Sequence, residues 1–359
     1  MSRFSTGAAV VAVGLVALLP AGMAQAATKT VNMGIPPASQ RAFQDSFADV
    51  NAFFPSAITV HRGDKVKFLA VGFHNLDLPA KGGATTPFAG PSGQTIAGAN
   101  DAAGNPYWFN GQPDLEFTPS LTQLAWGKSF TYNGKNGVQS GLPFGENLKP
   151  VTVKFSKTGT FTYYCDVHAG MKAKVHVVAP RAKAPSAKSD AKAVKKQVAA
   201  ALKTAKSLLK PKVANDTVLV GNSGKGGVEV FAMFPATKAV AVGTTLNFVM
   251  SAKSIDVHTA TTGPGDPEKE PTSFLGKMAN SIGGQPPFDQ AGIYPSDPPG
   301  TVASLTPTSH GNGFWGTGFM DTASASPLPS SGKVTFAQAG TYNFYCLIHP
   351  FMKTTVTAS

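Results

Sequence analysis

The chain repeats itself, and the repeat limits what it can fold into. Residues 161–172, carrying Cys165, His168 and Met171, align without a gap to residues 342–353, carrying Cys346, His349 and Met352. Upstream, the run from Phe54-Pro55 to Phe68 aligns with the run from Phe234-Pro235 to Phe248, and Gly63 falls on Gly243. A Gly-Thr pair precedes each cysteine segment, at Gly159 and Gly340. A repeat unit of roughly 150 residues points to a duplicated domain rather than a solenoid of short units.

Within each copy the pattern is that of strands. Ile58 to Phe68, Val151 to Phe155, Phe161 to Tyr164 and Ala173 to Val178 mix β-branched and aromatic residues between glycine and proline punctuation. The 38 glycines and 28 prolines of the 359-residue chain suit many short strands joined by turns. The expected fold class is all-β, two Greek-key sandwiches. Two Gly/Pro/Asn-rich stretches, about Lys81 to Ser120 and Thr262 to Ser330, are expected as surface loops with little structure.

Between the copies, residues 179–212 hold ten basic residues and one acid. Asp190 is placed to cap a helix that ends before Pro211. At 100° per residue Val194, Val198, Ala201, Leu202, Ala205, Leu208 and Leu209 form one stripe, with Lys192, Lys195, Lys196, Lys203, Lys206 and Lys210 opposite. A linker helix that lays the stripe on one domain is expected, its lysine face open to an anionic partner or surface.

Arg3, the apolar stretch Ala8 to Leu19 and the small residues Ala24 and Ala26 read as a secretory signal peptide. The stretch is shorter than the ~18 residues a membrane span needs. The organisation expected is therefore a signal at 1–26, domain 1 at 27–178, a basic linker at 179–212 and domain 2 at 213–359. The product would be exported (periplasmic, cell-surface or extracellular) and not an integral membrane protein once the signal is removed. A nucleic-acid role has no support, because no base-stacking module accompanies the positive charge.

Only two cysteines are present, and each sits in the same local motif, which argues for two equivalent roles rather than one bridge. Each copy combines an upstream histidine, a cysteine, a second histidine three residues on and a methionine three further. The first set is His74, Cys165, His168 and Met171, and the second is His258, Cys346, His349 and Met352. Two imidazoles and a thiolate with a distant thioether satisfy both Cu+ and Cu2+ in one geometry. Buried structural thiols and zinc remain the alternatives; structural zinc makes no use of methionine.

These segments resemble the cupredoxins, the plastocyanin, pseudoazurin and amicyanin group, and the run from Cys346 to Lys353 is especially similar to the short amicyanin-type loop. The resemblance covers both copies but not the linker or the two long stretches. It implies two type 1 (blue) copper centres per chain and one-electron transfer between redox partners. It also implies an asparagine after the first histidine that ties the ligand segments together. Asn75 matches, whereas Thr259 departs from the pattern, which leaves the second site's support in question. In the family the outer histidine edges, here His168 and His349, face redox protein partners through apolar patches, to which Ala169, Gly170, Pro350 and Phe351 would belong. Residues 27–178 carry a net +4 and residues 213–359 a net −2, so the domains would prefer different partners.

A copper storage or delivery protein is the alternative function, and a copper enzyme of the nitrite reductase or multicopper oxidase kind is a further one. Those enzymes hold extra copper on additional histidines, commonly one just before the cysteine ligand. Tyr164 and Tyr345 stand there, and the spare histidines His61, His176 and His310 match no such motif. An electron carrier rather than an enzyme is therefore expected. His61 and His176 are expected to be structural, His310 a solvated loop residue, and Trp108, Trp126 and Trp315 loop or core anchors.

Overall fold

The structure is a computed structural model that describes residues 26–284, 287–324 and 326–359. The expected signal peptide lies outside the described residues apart from Ala26. The all-β expectation is met, with a helix between two strand-built halves.

In the first half, one sheet runs Phe53–Phe54, Thr28–Met33, Lys65–Ala70, Val151–Phe155, Ser129–Tyr132 in spatial order. The other runs Val138–Gln139, Asp77–Leu78, Gly159–Tyr164, Lys172–Val178, Ala57–His61. Alternation along the strands sends one face inward. Val151, Val153 and Phe155 are buried while Lys154 is exposed, and Ala173, Val175 and Val177 point in between exposed or half-buried neighbours. They meet Val31, Phe53, Val66, Phe68 and Tyr163 in one core, which also holds Cys165 and Met171.

The second half repeats the plan. One sheet runs Ala303–Leu305, Ser331–Phe336, Thr245–Met250, Thr217–Ser223, Val228–Phe234, and the other Thr237–Val240, Lys353–Ala358, Gly340–Tyr345, Thr261–Thr262, Trp315–Gly316. Phe248, Trp315, Phe336, Phe344, Cys346 and Met352 share its core.

The expected continuous strand from Ile58 to Phe68 is two strands in different sheets. Gly63, at φ +104°, supplies the left-handed turn, and the Asp64 carboxylate accepts the His61 backbone N–H at 2.8 Å. Gly243, at φ +86°, makes the equivalent turn in the second half.

The halves are joined in two ways. Strand Ala48–Val50 of the first half adds to the edge of the second half's sheet, antiparallel to Val228–Phe234, with Asp49 opposite Glu229. The linker helix, Ala187–Leu208, buries Val198, Ala201 and Ala205 against Ile35, Phe43 and Phe54 of the first half and Val228 of the second. The apolar stripe thus packs on both halves rather than on one, and Leu209, beyond the helix end, is exposed. Ser186, not Asp190, is the N-cap: its side chain accepts the Ser189 N–H, while Asp190 pairs with Lys29 at 2.7 Å. Among the described residues no helix is long and apolar enough to cross a membrane.

The two long stretches are more ordered than the sequence suggested. Strands Ala89–Thr95 and Pro113–Phe117 pair, and helices Phe274–Gly283 and Gln290–Ile293 form in the second stretch. They pack on each other through Ile96, Tyr107, Phe109, Leu275, Met278 and Phe314. Aromatic spacing within a Gly/Pro-rich run gives no helix or strand period, which is why the core they share was not legible.

Candidate metal centres

Each centre is assembled from two places in its half. In the first, His74 and Asn75 follow strand Lys65–Ala70, and Cys165 follows strand Gly159–Tyr164 at the start of a tight turn. The turn closes on itself: the Met171 N–H donates to the His168 carbonyl and the Cys165 N–H to the Met171 carbonyl, both at 3.0 Å. The second turn makes the same bonds, Met352 to His349 at 2.8 Å and Cys346 to Met352 at 2.9 Å.

The sequence-selected donors converge. Cys165 Sγ lies 3.8 Å from His74 Nδ1 and 3.6 Å from His168 Nδ1. Cys346 Sγ lies 3.8 Å from His258 Nδ1 and 3.6 Å from His349 Nδ1. In each set the donor atoms all lie within 4.8 Å of one another, and the cysteine-to-histidine distances are the same in both. Met171 and Met352 are buried in the same cores as their cysteines. A soft thiolate and two imidazoles beside a buried thioether fit copper in either oxidation state.

Asn75 ties the first centre together. Its Oδ1 accepts the Asp166 N–H at 2.8 Å, and its Nδ2 donates to the Asp166 carboxylate at 2.7 Å and to Gln139 at 3.0 Å. Thr259 departs from asparagine in identity but not in position: its Oγ1 accepts the Leu347 N–H at 2.8 Å, and its own N–H donates to Cys346 Sγ at 3.4 Å. The second centre is therefore braced as the first is, by a side chain that accepts.

The far edges of the first histidines differ. Among the described residues His74 Nε2 is buried without a hydrogen-bond partner, whereas His258 Nε2 meets Glu229 Oε1 at 2.7 Å. Ser254 Oγ lies 2.8 Å from both oxygens of Glu229 and holds it in place. Both edges press on a left-handed glycine, Gly34 at φ +103° and Gly221 at φ +74°.

The charge states follow. Burial, then the neighbouring His168, holds His74 well below its ordinary 6.5. Burial works against charge on His258 too, but Cys346 and Glu229 outweigh it and raise the imidazole well above that value. Burial pushes the Cys165 thiol up to about 12. Burial also raises Cys346, yet the contacts with His258 and His349 prevail and bring it to about 5. The shifts run in opposite directions, toward thiolate and imidazolium in the second centre and toward neutral donors in the first.

The outer histidines are not where the sequence put them. His168 is buried and His349 is largely covered, and neither imidazole faces open solvent as a partner would need. The loop between strand Thr245–Met250 and His258 lies over the first centre, with Ile255 against its core. Asp256 Oδ2 stands 3.8 Å from His168 Nε2 and 3.9 Å from His349 Nε2, while Oδ1 accepts the Val257 N–H at 2.8 Å. Phe231 stacks on His349 at 4.4 Å between ring centroids. Asp49, half-buried and raised by desolvation, lies near the same cluster.

Sequence reasoning missed Glu229, Ser254 and Asp256. An acid inside the apolar run Val228–Phe234 was the available signal for Glu229; Asp256 gave none, since it acts across the two halves. The remaining histidines are held singly. His61 Nε2 lies 2.9 Å from the Ala182 carbonyl, and His176 Nδ1 lies 2.9 Å from Thr160. His310 is not a solvated loop residue: it is clasped between Asp101, 3.4 Å from Nδ1, and Asp297, 3.5 Å from Nε2. Trp108 and Trp126 donate to the Pro295 and Leu142 carbonyls, and Trp315 is core, as anchors would be.

No family model matches the chain, and no curated protein matches it. Among solved structures it is similar to a mutant of amicyanin in the Cu(I) form, at 16% identity over 41% of this chain and 87% of that one, TM-score 0.21. The oxidized plastocyanin from Dryopteris crassirhizoma gives 19% identity, 40% and 99% coverage, and TM-score 0.20. Amicyanin from Paracoccus versutus gives 16%, 41% and 86%, and 0.21. Values of that size establish no kinship.

Proposed function

We propose that this chain is an exported protein of two cupredoxin-like domains, residues 27–178 and 213–359, that holds two copper ions and passes single electrons between redox proteins. The observation that carries the reading is the pair of donor clusters with equal cysteine-to-histidine distances, His74/Cys165/His168 and His258/Cys346/His349. Bound copper would supply a one-electron Cu+/Cu2+ couple.

The protein's part is to keep the donors still. Each triangle is braced from both sides, by the closed turn and by Asn75 or Thr259, so its ligands need not rearrange when the charge changes. Burial of both cysteines keeps water and oxidants from the sulfur. With His61, His176 and His310 each occupied by its own neighbours, the chain's spare imidazoles do not gather beside either centre, which favours a carrier over an enzyme with a further metal.

A redox partner would meet the second half at Phe47 and Phe351, two exposed rings 6.5 Å apart beside His349, rather than at the His168 edge. The lysine face of the linker helix would serve an anionic partner or surface.

The deciding experiment is to add Cu(II) to the purified protein, count bound copper and record the visible spectrum. Two coppers with an intense thiolate-to-copper band are expected, with one copper and about half the band lost in each of Cys165→Ser and Cys346→Ser. A colourless protein, or a band that survives the double substitution, overturns the reading. Turnover of nitrite or a phenol by the same sample would make it an enzyme instead.

A further inference from the structure

Two carboxylates touch the centres unequally, and neither is a donor to a metal. Glu229 contacts only the second centre, at His258 Nε2, and is fully buried on a strand with Ser254 fixing its oxygens. The equivalent edge of His74 in the first centre has no partner among the described residues. Asp256 contacts both centres, with one oxygen facing the Nε2 atoms of His168 and His349.

We infer that Glu229 and Asp256 make the two centres one coupled, unequal pair, in which the second centre holds the lower reduction potential. The inference rests on the copper reading above. A carboxylate accepting from the far N–H of a ligand histidine raises the basicity of the nitrogen that faces the metal, and so favours the more positive metal state. Glu229 does this for His258 alone, from a buried position where solvent screens little. His74 has no such support, so the first centre favours the reduced state by comparison. An electron on the pair settles at the first centre.

Asp256 acts differently because it is shared. Its distances to the imidazoles exceed a direct hydrogen bond, so its effect is that of a fixed negative charge between two sites that each gain or lose one charge. It favours the oxidised state of both at once. The two outer imidazoles are no further apart than the sum of their distances to Asp256, so a change of charge at one centre is felt at the other. The covering of His168 gains a purpose in this arrangement: its edge faces the second half of its own chain.

The test uses the full chain with Cu(II) as the probe, and reads potentials by titration against visible absorbance and copper EPR. The copper left in Cys165→Ser, which keeps the second centre, should show the lower potential. The copper left in Cys346→Ser should show the higher, with at least a tenfold difference in preference for Cu+, ~59 mV for one electron. Glu229→Gln, which keeps the shape and the contact with Ser254, should raise the lower potential and leave the upper unmoved. Asp256→Asn should raise both.

Equal potentials in the unsubstituted protein, or the opposite order in the two cysteine variants, would overturn the inference without any acidic substitution being needed. So would a Glu229→Gln protein with both potentials unchanged. A protein that takes up no copper or shows no thiolate band fails the copper reading instead, before any potential is compared.

Discussion

The Asn75 side-chain oxygen accepts the backbone N–H of Asp166 at 2.8 Å, joining the segment that carries His74 to the turn that carries Cys165. Ninety-one residues separate the two in sequence. Removal of the side chain by Asn75→Ala leaves the buried Asp166 N–H without its acceptor and takes one donor from the Asp166 carboxylate, which keeps Gln139 and Thr86, at a cost of about 1–3 kcal/mol. Thr259→Val strips one acceptor from Leu347 N–H and keeps the shape, so it should cost about 1 kcal/mol, the lower end of that range. Thermal unfolding of the metal-free protein would check the order; a larger loss for Thr259→Val would show that the braces are not equivalent.

Two glycines should tolerate no side chain for a reason other than the turn they make. A Cβ on Gly221 would lie 2.7 Å from His258 Nε2 and 2.8 Å from Glu229 Oε1, and one on Gly34 would run into the Val71 carbonyl oxygen and lie 2.9 Å from His74 Cδ2. Gly243 has the same left-handed backbone but open space around it. Gly243→Ala should therefore cost only the backbone term, about 1–2 kcal/mol. Gly221→Ala and Gly34→Ala should cost more and also reduce copper bound per chain. Equal melting temperatures for all three would refute this.

The His310 clasp predicts a pH dependence outside the metal centres. The contact with Asp297 comes first in holding His310 above its ordinary 6.5, with Asp101 adding to it. Stability from that proton is complete below pH 6.5 and is lost as the pH rises through the raised value. Asp297 is lowered below 3.8 because its bonds to His310 and Ser296 outweigh burial, and Asp101 because those to Asn105 and His310 do. Their share is present above pH 3.8 and lost as the pH falls through the lowered values. The stability gap between the native chain and His310→Gln should thus be widest from about pH 4 to 6 and shrink on either side. A gap that grows steadily toward pH 9 in denaturant titrations would contradict the clasp.

The linker helix should matter to stability through its buried stripe more than through its cap. Ser186→Ala removes the cap and should cost about 1 kcal/mol. Ala205→Asp puts an unpaired charge where Ala205 is fully buried, and should cost about 3–5 kcal/mol, comparable with breaking a buried ion pair. Urea unfolding would measure both; a milder effect for Ala205→Asp than for Ser186→Ala would mean that the helix does not clamp the halves.

Much of the site could be read from the chain because its information is local. Cys165, His168 and Met171 lie within one turn, and the repeat doubles the signal, so spacing alone selects donors that the fold then gathers. The strands carrying Val151–Phe155 and Lys172–Val178 were legible for the same reason, a two-residue alternation over a buried face. Contacts between distant segments left no such trace. Asp256 matters only because a loop of the second half meets the first, Glu229 because its strand passes beside a histidine 29 residues further on, and Tyr107 meets Phe314 edge to face through a core with no sequence period. The Thr259 departure misled in a third way, since a hydroxyl and a carboxamide oxygen can accept the same backbone N–H.

Strand Ala48–Val50 belongs to the first half in sequence and to the second half's sheet in space. If the second copy were cut free and expressed alone, Val228–Phe234 would become a bare edge with unpaired N–H and C=O groups beside Val228 and Val230, an invitation to stack with other copies. The second half should therefore aggregate when expressed from residue 213 onward, and any attempt to dissect the chain should carry residues 48–50 along with it.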